Sequence, residues 1–453
     1  MLKKLKQKLT SSRNQIVRQS KRGRQKKSKS LTGKKGSTIS TRLRQNRIIS
    51  IIYKPKLIIA VFLLLLILAF APYVKAFYDF SPKREVSDKG EPGQVEWNGV
   101  NRIITLIVGI DQFSDEHRFV DAIGLLVVDP QRSELGIFMI SPDIEVYVPG
   151  LNKNSNLRTI LNNKDSKGNE IEILVRSVES LMAVKIDRYL LTNTKGFSEV
   201  GRYFDPVSLD LRYDLNDEDV SDTKGRNISW SKGRITIYQD QFVGFLAANE
   251  YGNDSQLARQ SRFLAEFAAN LDSLRTLANI PQILQAIEDN VYTNISKNEF
   301  FTLARHLWAI RRDQVKLAYT QSASLLPLES KGLYSRYSPL TESIDRDMSS
   351  IMFNFNLAKE QARIEVFNAS GIRGMANSRA RWITNSGGRV VQIGNARNIT
   401  EQTTVYVANP EKYPVTIFEI ERIFGKNLVY ATSPYEEKHI GDIIIVIGES
   451  VVR

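Results

Sequence analysis

The sequence contains no cysteine and only three histidines. Without cysteine the chain folds without disulfides, which a protein of this size tolerates. The histidines His117, His306 and His439 are scattered, and no HExxH spacing occurs, which disfavours a zinc site. With 453 residues, 42% of them hydrophobic, the chain is long enough to hold two domains with their own cores.

Acidic residues are absent from residues 1–56, which contain 19 Lys and Arg. The rest of the chain has 44 basic and 49 acidic residues, so the net charge of +14 belongs to this tail. The tail is too polar to fold alone. No aromatic residue precedes Tyr53 to stack on bases, so we favour a solvated tail that touches anionic lipid headgroups over a tail that binds nucleic acid.

Charge is absent again from Leu57–Val74, an apolar run bounded by Lys56 and Lys75. Its length is close to the roughly 20 residues that a helix needs to cross a bilayer. A cleaved signal peptide is the alternative, but the basic leader is too long and "APYVKAF" is a poor cleavage site. The basic flank predicts a single-pass membrane protein with a cytoplasmic N-terminus and an extracytoplasmic remainder, Lys75–Arg453.

Outside the membrane the pattern predicts two folded regions. Polar residues 75–101 indicate a stalk, and residues 102–319 alternate short β-rich runs with amphipathic helices. Residues 320–360 are irregular and indicate a linker, and residues 361–453 form a smaller alternating module. No period of 20–50 residues occurs, which excludes solenoids. We therefore predict an α/β fold with a central mixed sheet flanked by helices, followed by a smaller C-terminal α/β domain.

Two aspartates stand at the ends of two apolar runs in "VGIDQFSDEHRFVDAIGLLVVD". Asp111 follows the first run and Asp121 begins the second. Mg²⁺ is commonly held by one or two carboxylates together with waters and substrate phosphates, so the pair could bind this ion. In the alternative interpretation one aspartate caps a turn and the other pairs with Arg118 or His117. Spacing alone leaves both interpretations open.

Two further stretches suggest phosphate binding. Arg259 and Arg262 are three residues apart, hence neighbours on one helix face, where they could grip phosphate oxygens or form a solvated basic stripe. The loop "NASGIRG", Asn368–Gly374, lies between a strand and a helix and has some likeness to a phosphate-cradling loop. It lacks the full glycine pattern and the lysine of a P-loop, so a tight strand-to-helix turn is the better interpretation.

Several strings resemble the bacterial LytR-CpsA-Psr family over about residues 103–315. They are "LIVGIDQFS", "VDAIGLLVVDPQRSELGIFMISPD", "LVRSVESLMAVKIDRYLLTNTKGFSEV" and "LARQSRFLAEF". Residues 362–449, with "VFNASGIRGMA", "GNARN", "TTVYVANP" and "DIIIVIGES", are similar to the LytR C-terminal domain often appended to these proteins.

The resemblance implies a phosphotransferase that moves a glycopolymer from a polyprenyl-pyrophosphate carrier to the cell wall. In this family two aspartates bind magnesium, arginines bind the pyrophosphate, and the prenyl tail lies in an apolar channel between sheet and helices. The implied metal ligands are Asp111 and Asp121. The implied pyrophosphate-binding residues are Arg118, Arg259, Arg262 and Gln260, and the implied catalytic residues are Asp121, Arg118 and Arg259.

Most family arginines are replaced in this sequence. The expected positions hold Phe119, Asp143, Ala247, Asn249 and Gln256. Because pyrophosphate charge must be matched by fixed cations, catalysis stays an open question. The alternative is a catalytically degenerate envelope protein that binds the lipid carrier or glycan as a scaffold. A transcriptional regulator is a third hypothesis, disfavoured because folded domains across the membrane would not reach nucleic acid.

Overall fold

The computed structural model describes residues 55–85, 96–113, 118–164, 169–249, 252–328, 335–425, 428–431 and 439–451. The chain divides into two units, Met1–Phe70 and Ala71–Arg453. The first helix, α1, runs from Pro55 to Asp79. Its stretch Ile58–Asp79 has the length and apolar composition that a membrane crossing requires, in agreement with the predicted span. Most of the predicted basic tail, residues 1–54, lies outside the described residues.

The larger domain is built on a six-stranded mixed sheet with the order β11-β6-β1-β2-β3-β12. β1, β2 and β3 form an antiparallel meander, while β6 and β12 run parallel to β1 and β3. The predicted turn "DPQRSELG" joins β2 to β3. The strands are β1 (Ile103–Ile110), β2 (Val120–Asp129), β3 (Glu134–Ile140), β6 (Arg188–Asn193), β11 (Val291–Thr293) and β12 (Val315–Tyr319).

Helices cover both faces of this sheet, as the amphipathic patterns predict. Helices α2 and α9 pack on the face formed by alternate residues such as Leu106 and Leu125. Helices α5 and α8 pack on the opposite face, where Leu257 and Leu303 join the core. The helices of this domain after α1 are α2 (Glu170–Met182), α3 (Thr194–Gly201), α4 (Phe242–Ala247), α5 (Gly252–Ala269), α6 (Leu274–Ala278), α7 (Ile280–Asn290), α8 (Lys297–Ala309), α9 (Thr341–Met352) and α10 (Phe355–Glu360).

Short hairpins complete the domain beside the main sheet. One group buries Phe242, Phe245 and Phe263 in a separate aromatic cluster between α4, α5 and two hairpins. The remaining strands are β4 (Glu145–Val148), β5 (Lys153–Asn156), β7 (Val207–Leu211), β8 (Leu215–Ser221), β9 (Asn227–Trp230), β10 (Gly233–Ile237), β13 (Leu325–Pro327) and β14 (Tyr337–Pro339).

The segment 320–360 is not the irregular linker that we predicted. It contains β13, β14, α9 and α10, and α9 places Ile344, Met348 and Ile351 in the core of the main sheet. The segment is helical because these side chains recur at helical spacing, i, i+4 and i+7, so one face of α9 is apolar. The stalk also differs, because α1 continues to Asp79 and Phe80 is only 2% exposed. Stalk residues 86–95 lie outside the described residues.

The C-terminal domain is the compact α/β module that the sequence predicts. Its sheet has the order β16-β15-β19-β17-β18, with β15 parallel to both β16 and β19. Ile364, Val366 and Ile445 lie in its core. Its elements are β15 (Arg363–Asn368), α11 (Met375–Asn385), β16 (Arg389–Asn395), β17 (Thr404–Val407), α12 (Pro414–Phe424), β18 (Val429–Ala431) and β19 (Ile443–Ile447).

A buried ion cluster joins the two domains. Arg422 on α12 contacts Asp187 across the interface at 3.1 Å and Glu419 on its own helix at 2.8 Å. Arg102, just before β1, lies 4.0 Å from Glu419. Burial alone would raise the pKa of Glu419, but Arg422 and Arg102 outweigh it and lower that pKa to about 2. A second contact pairs Arg381 with Asp345 at 2.7 Å.

We expect Glu419→Gln to destabilise the protein by roughly 3–5 kcal/mol, because it leaves Arg102 and Arg422 buried with less opposing charge. Since the folded-state pKa of Glu419 lies below its ordinary value of 4.5, its contribution is complete above pH 4.5. It is lost as the pH falls toward about 2. Urea unfolding at several pH values measures this difference. Exposed Glu411→Gln is the matched control, and equal stability of the two variants at pH 7 would contradict the prediction.

Candidate functional site

The carboxyl ends of β1, β3, β6 and β12 meet at one edge of the main sheet, together with the amino end of antiparallel β2. This register brings Asp111, Asp121 and Asp143 to the same edge. Ligands of α/β sheets commonly bind outside the carboxyl ends of strands. The edge is therefore our candidate site.

Asp111 closes the loop between β1 and β2. Its backbone N–H donates to the Phe119 carbonyl at 3.1 Å, and its Oδ1 accepts from the Phe119 N–H at 3.0 Å. The strand register shifts between Gly109 and Ile110, so a bulge sits directly before this loop. Bulges of this kind redirect side chains near functional sites. Asp111 thus has the turn-capping role of the alternative interpretation.

Asp121 begins β2 with its side chain 53% exposed. Partial burial raises its pKa, the nearby charge of Asp111 raises it further, and Arg158 opposes both effects. The two aspartates are therefore close enough to repel each other. Arg158, which pairs with Asp121 at 3.3 Å, offsets part of this repulsion.

Arg158 is a site residue that the sequence interpretation missed. It lies in the 3-10 helix Leu157–Asn162, where the Asn156 side chain caps its N–H. Its Nε donates to Asp143 Oδ1 at 2.8 Å and its Nη1 to Asp121 Oδ1 at 3.3 Å. Arg158 thus bridges Asp121 to Asp143, the residue that stands where the family has an arginine. The sequence contains one indication of this role, which is Asp143. A carboxylate that is partly buried beside two other aspartates requires a cationic partner.

Arg118 is held mainly by glutamates. Its Nη1 lies 3.0 Å from Glu85 Oε1 and 3.3 Å from Glu170 Oε2. Asn162 fixes its backbone by accepting from its N–H and donating to its carbonyl. The Arg118 guanidinium therefore borders the loop of Asp111 with much of its charge already matched. His117, the other suggested partner of an aspartate, lies outside the described residues.

Arg259 and Gln260 point at the end of a neighbouring helix. The last carbonyls of a helix lack partners within it. Arg259 Nε donates to the Phe245 carbonyl at 2.9 Å, and its Nη2 also bonds the Ala248 carbonyl. Gln260 donates to the Leu246 carbonyl at 3.1 Å. Burial lowers the pKa of Arg259 to about 10.

Gln256, which replaces a family arginine, joins the same capping arrangement. Its Nε2 donates to the Ala247 carbonyl at 2.9 Å. Three side chains of α5 thus cap the C-terminal end of α4. The capping contacts direct the Arg259 guanidinium toward these carbonyls, a role that its spacing in the sequence did not reveal.

Arg262 lies on the next turn of α5 and is half-buried. Burial lowers its pKa, the charge of Arg212 lowers it further, and Tyr319 opposes them. Tyr319 ends β12 at the candidate edge. Arg262 and Arg212 therefore form a local concentration of positive charge near that edge.

The sheet face toward α5 and α8 carries apolar side chains near the site. Ile107, Leu126 and Leu190 lie on central strands of this face and remain partly exposed. Gly109 pairs with Ala122 in the register of β1 and β2, so neither position fills the space with a large side chain. This face of the sheet is therefore apolar, with small residues next to the aspartate pair.

Of the three aspartates at this edge, Asp111 and Asp121 are the two that the sequence predicts as metal ligands. Within the ranges that the structure describes, no group of three or more His, Cys, Asp or Glu side chains is positioned to bind an ion. Asp111 and Asp121 fit Mg²⁺, which takes few protein ligands and completes its shell with water and phosphate oxygens. They do not fit a zinc site, which takes three or four protein ligands.

Comparisons with known proteins match both folded regions. The model of the LytR_cpsA_psr family matches residues 74–345. The model described as LytR cell envelope-related transcriptional attenuator matches residues 361–450. The first match includes β13, β14 and the start of α9.

Individual relatives are distant. The polyisoprenyl-teichoic acid–peptidoglycan teichoic acid transferase TagV of Bacillus subtilis is 25% identical over 204 residues, 44% of this chain and 51% of TagV. The transferase TagU of Bacillus cereus is 22% identical over 228 residues, 49% of this chain and 70% of TagU. The crystal structure of B. subtilis TagV superposes with a TM-score of 0.46 and 17% identity, covering 55% of this chain and 95% of that one. The chain thus spans about half the length of TagV in sequence.

We expect Asp121→Asn to stabilise the protein slightly at neutral pH. Because the pKa of Asp121 is raised, its protonated form favours the folded state below its ordinary value of 3.8. That contribution is lost as the pH rises through the folded-state pKa. The gain at pH 7 should be a few tenths of a kcal/mol, since solvent screens a half-exposed carboxylate. Urea unfolding at pH 3 and pH 7 measures it, with Asp313→Asn as a control that gains nothing. A variant less stable than wild type at pH 7 would refute the expectation.

Proposed function

Because the chain belongs to the LytR-CpsA-Psr family, we propose that it attaches a polyprenyl-pyrophosphate-linked glycopolymer to the cell wall. The observation that carries this proposal is the pair Asp111 and Asp121 at one strand edge, with Arg158 bound to Asp121. Relatives named as teichoic acid transferases support the same reaction class. They are matched over only part of their length, so the activity, substrate and acceptor of this chain all belong to the proposal.

The reaction is a phosphoryl transfer. The acceptor hydroxyl oxygen attacks the phosphorus that carries the glycan and forms a new P–O bond. The bond from this phosphorus to the bridging oxygen breaks, and polyprenyl phosphate leaves with that oxygen. Asp121 is our candidate to accept the proton of the acceptor hydroxyl, because its carboxylate stands at the edge where the acceptor would bind.

Asp111 and Asp121 would hold Mg²⁺, which when bound supplies positive charge to the pyrophosphate oxygens. Arg158 is placed to stabilise the developing negative charge, since it already reaches Asp121 at 3.3 Å. In this proposal it compensates for the arginine that Asp143 replaces. Arg118 and Arg262 are further pyrophosphate candidates at the border of the site. Arg259 would have to leave the α4 carbonyls to take part.

The apolar sheet face along Ile107, Leu126 and Leu190 supports a lipid-linked substrate. Gly109 and Ala122 have little side-chain bulk beside the aspartate pair, so in this proposal a prenyl tail lies on the sheet with its pyrophosphate at the edge. The apolar helix α1 supports membrane anchoring. We place the basic N-terminus in the cytoplasm and the folded domains outside, where the lipid carrier and the cell wall polymer meet.

A second candidate function is a catalytically degenerate protein that binds the carrier or glycan as a scaffold. The capping of α4 by Gln256, Arg259 and Gln260 favours it, because these side chains bond backbone carbonyls. The fixed cations near the aspartate pair are correspondingly fewer than the family pattern implies.

Calorimetric titration of a polyprenyl pyrophosphate into the detergent-solubilised full chain, with and without Mg²⁺, tests the site. We expect Mg²⁺-dependent binding that Asp121→Ala abolishes. Binding that is indifferent to both Mg²⁺ and this substitution would contradict the proposed metal site.

A transfer assay separates the two candidate functions. If the chain is a transferase, Arg158→Gln should lower the rate by about 10²–10³-fold, the usual cost of removing one donor to developing charge. Arg176→Gln, which alters an exposed arginine on α2, is the matched control and should leave the rate unchanged. Tight Mg²⁺-dependent binding without transfer by the wild type would establish the scaffold function instead.

A further inference from the structure

The C-terminal domain contains a cleft that the proposed reaction does not use. Its volume is about 610 Å³, within the roughly 300–1,000 Å³ typical of ligand sites. It lies outside the carboxyl ends of neighbouring parallel strands β15 and β16, where Asn368 pairs with Asn395 in the register. The "NASGIRG" loop forms one wall, and the residues that follow β16 form the other.

The lining is rich in uncommitted hydrogen-bonding groups. Arg373 is exposed and has no ion pair or hydrogen bond within the described part of the chain. The same is true of the side-chain amides of Asn377, Asn395 and Asn398, which also line the cleft. Arg397 adds a second guanidinium, and no Asp or Glu is among the lining residues. The cleft is therefore cationic and unusually rich in amides.

The walls of the cleft are held in place by local hydrogen bonds. The Asn368 side chain donates to the Ile372 carbonyl at 2.8 Å and accepts from the Ser370 N–H at 3.0 Å. The opposite wall is tied by the Ala396 N–H, which donates to the Asn368 carbonyl at 3.0 Å. Gly374 has a positive φ of 82° and open space where a Cβ would stand. The cleft thus keeps its form without a ligand, which lowers the entropy cost of binding.

These groups select a ligand class. Guanidinium groups grip phosphate oxygens in a bidentate manner, and amides both donate to and accept from hydroxyls. Ile393 and Ile399, 46% and 66% exposed, offer apolar contact to carbon-bound hydrogens. Phosphate groups, hydroxyl groups and carbon-bound hydrogens occur together in polymers in which polyols or sugars are joined by phosphodiesters.

We infer that this cleft binds a phosphodiester-linked segment of the glycopolymer, away from the lipid pyrophosphate. The inference rests on the proposed function for the nature of the polymer. The segment is bound without any covalent change. The ion cluster at Arg422 fixes the C-terminal domain to the larger domain, so a polymer bound in the cleft stays attached to the molecule that carries the transfer site.

The test uses the absence of cysteine from the chain. In the full-length protein, Ser378→Cys introduces a unique thiol on α11, next to Asn377, for an environment-sensitive fluorophore. The label reports on the cleft, so polyanion binding to the basic residues 1–56 does not contribute to the signal. The probe is a lipid-free glycerol phosphate oligomer, and an uncharged dextran oligomer and a peptidoglycan fragment are the alternative ligands.

We expect the glycerol phosphate oligomer to change the fluorescence saturably, and Arg373→Ala to weaken its binding about tenfold, as for one lost charge-assisted bond. Arg389→Ala is the matched control, because Arg389 begins β16 at the end opposite the cleft. Asp121→Ala should also leave the affinity unchanged. Unaltered thermal unfolding of Arg373→Ala establishes that the fold is intact.

Each contrary result has a distinct meaning. Equal affinity of Arg373→Ala and wild type overturns the inference, as does equal binding of dextran. Preference for the peptidoglycan fragment overturns the phosphodiester assignment. Arg373-dependent binding in a protein that transfers nothing upholds the cleft and rejects the proposed function. Transfer without any binding in the cleft rejects the inference about the cleft and upholds the proposed function.

Discussion

The arrangement of the two domains depends on the buried charges around Asp187. One carboxylate oxygen of Asp187 accepts from the Ile104 N–H at 2.8 Å, at the start of β1, and the same carboxylate binds Arg422 of α12. The Asp187 N–H also donates to the Ile104 carbonyl. A single side chain thus fixes the starts of β1 and β6 and the docking of the C-terminal domain. Because these charges are buried, loss of one partner costs far more than loss of an exposed ion pair.

The candidate site lies at the opposite end of β1. There the balance between burial and neighbouring charges shifts a carboxylate pKa in the opposite direction. Around Asp187 and Glu419 the arginines outweigh burial, and the pKa of Glu419 is lowered. At the strand edge Asp121 stands beside Asp111, and its pKa is raised. One end of the strand is therefore stabilised by its own counter-charges, whereas at the other end Arg158 offsets the charge of the two carboxylates only in part. This contrast is what a rigid scaffold for a functional site requires.

Local periodicity was enough to predict most strands and helices and the division into a larger and a smaller α/β region. Spacing showed that Asp111 follows one apolar run and Asp121 precedes the next, and the family resemblance then suggested that the two act together. Arg158 could not be assigned to the site in this way, because the β4–β5 hairpin brings it to Asp143 and Asp121, and the pairing depends on tertiary structure. The capping role of Arg259 was hidden for a similar reason, since α4 is only six residues long. Residues 320–360 were wrongly predicted to be irregular because they are rich in Ser and Pro. The helical spacing of the apolar residues in α9 was the better indicator.

The position of α9 has a consequence for the order in which the chain folds as it is synthesised. The last strand of the main sheet ends at Tyr319, but one face of that sheet is covered by Ile344, Met348 and Ile351. These contacts join residues far apart in sequence, and such contacts form slowly. Until Met352 has left the ribosome, apolar side chains of that face remain exposed to aggregation or to holding chaperones. The larger domain therefore completes its core only when the C-terminal domain begins to emerge.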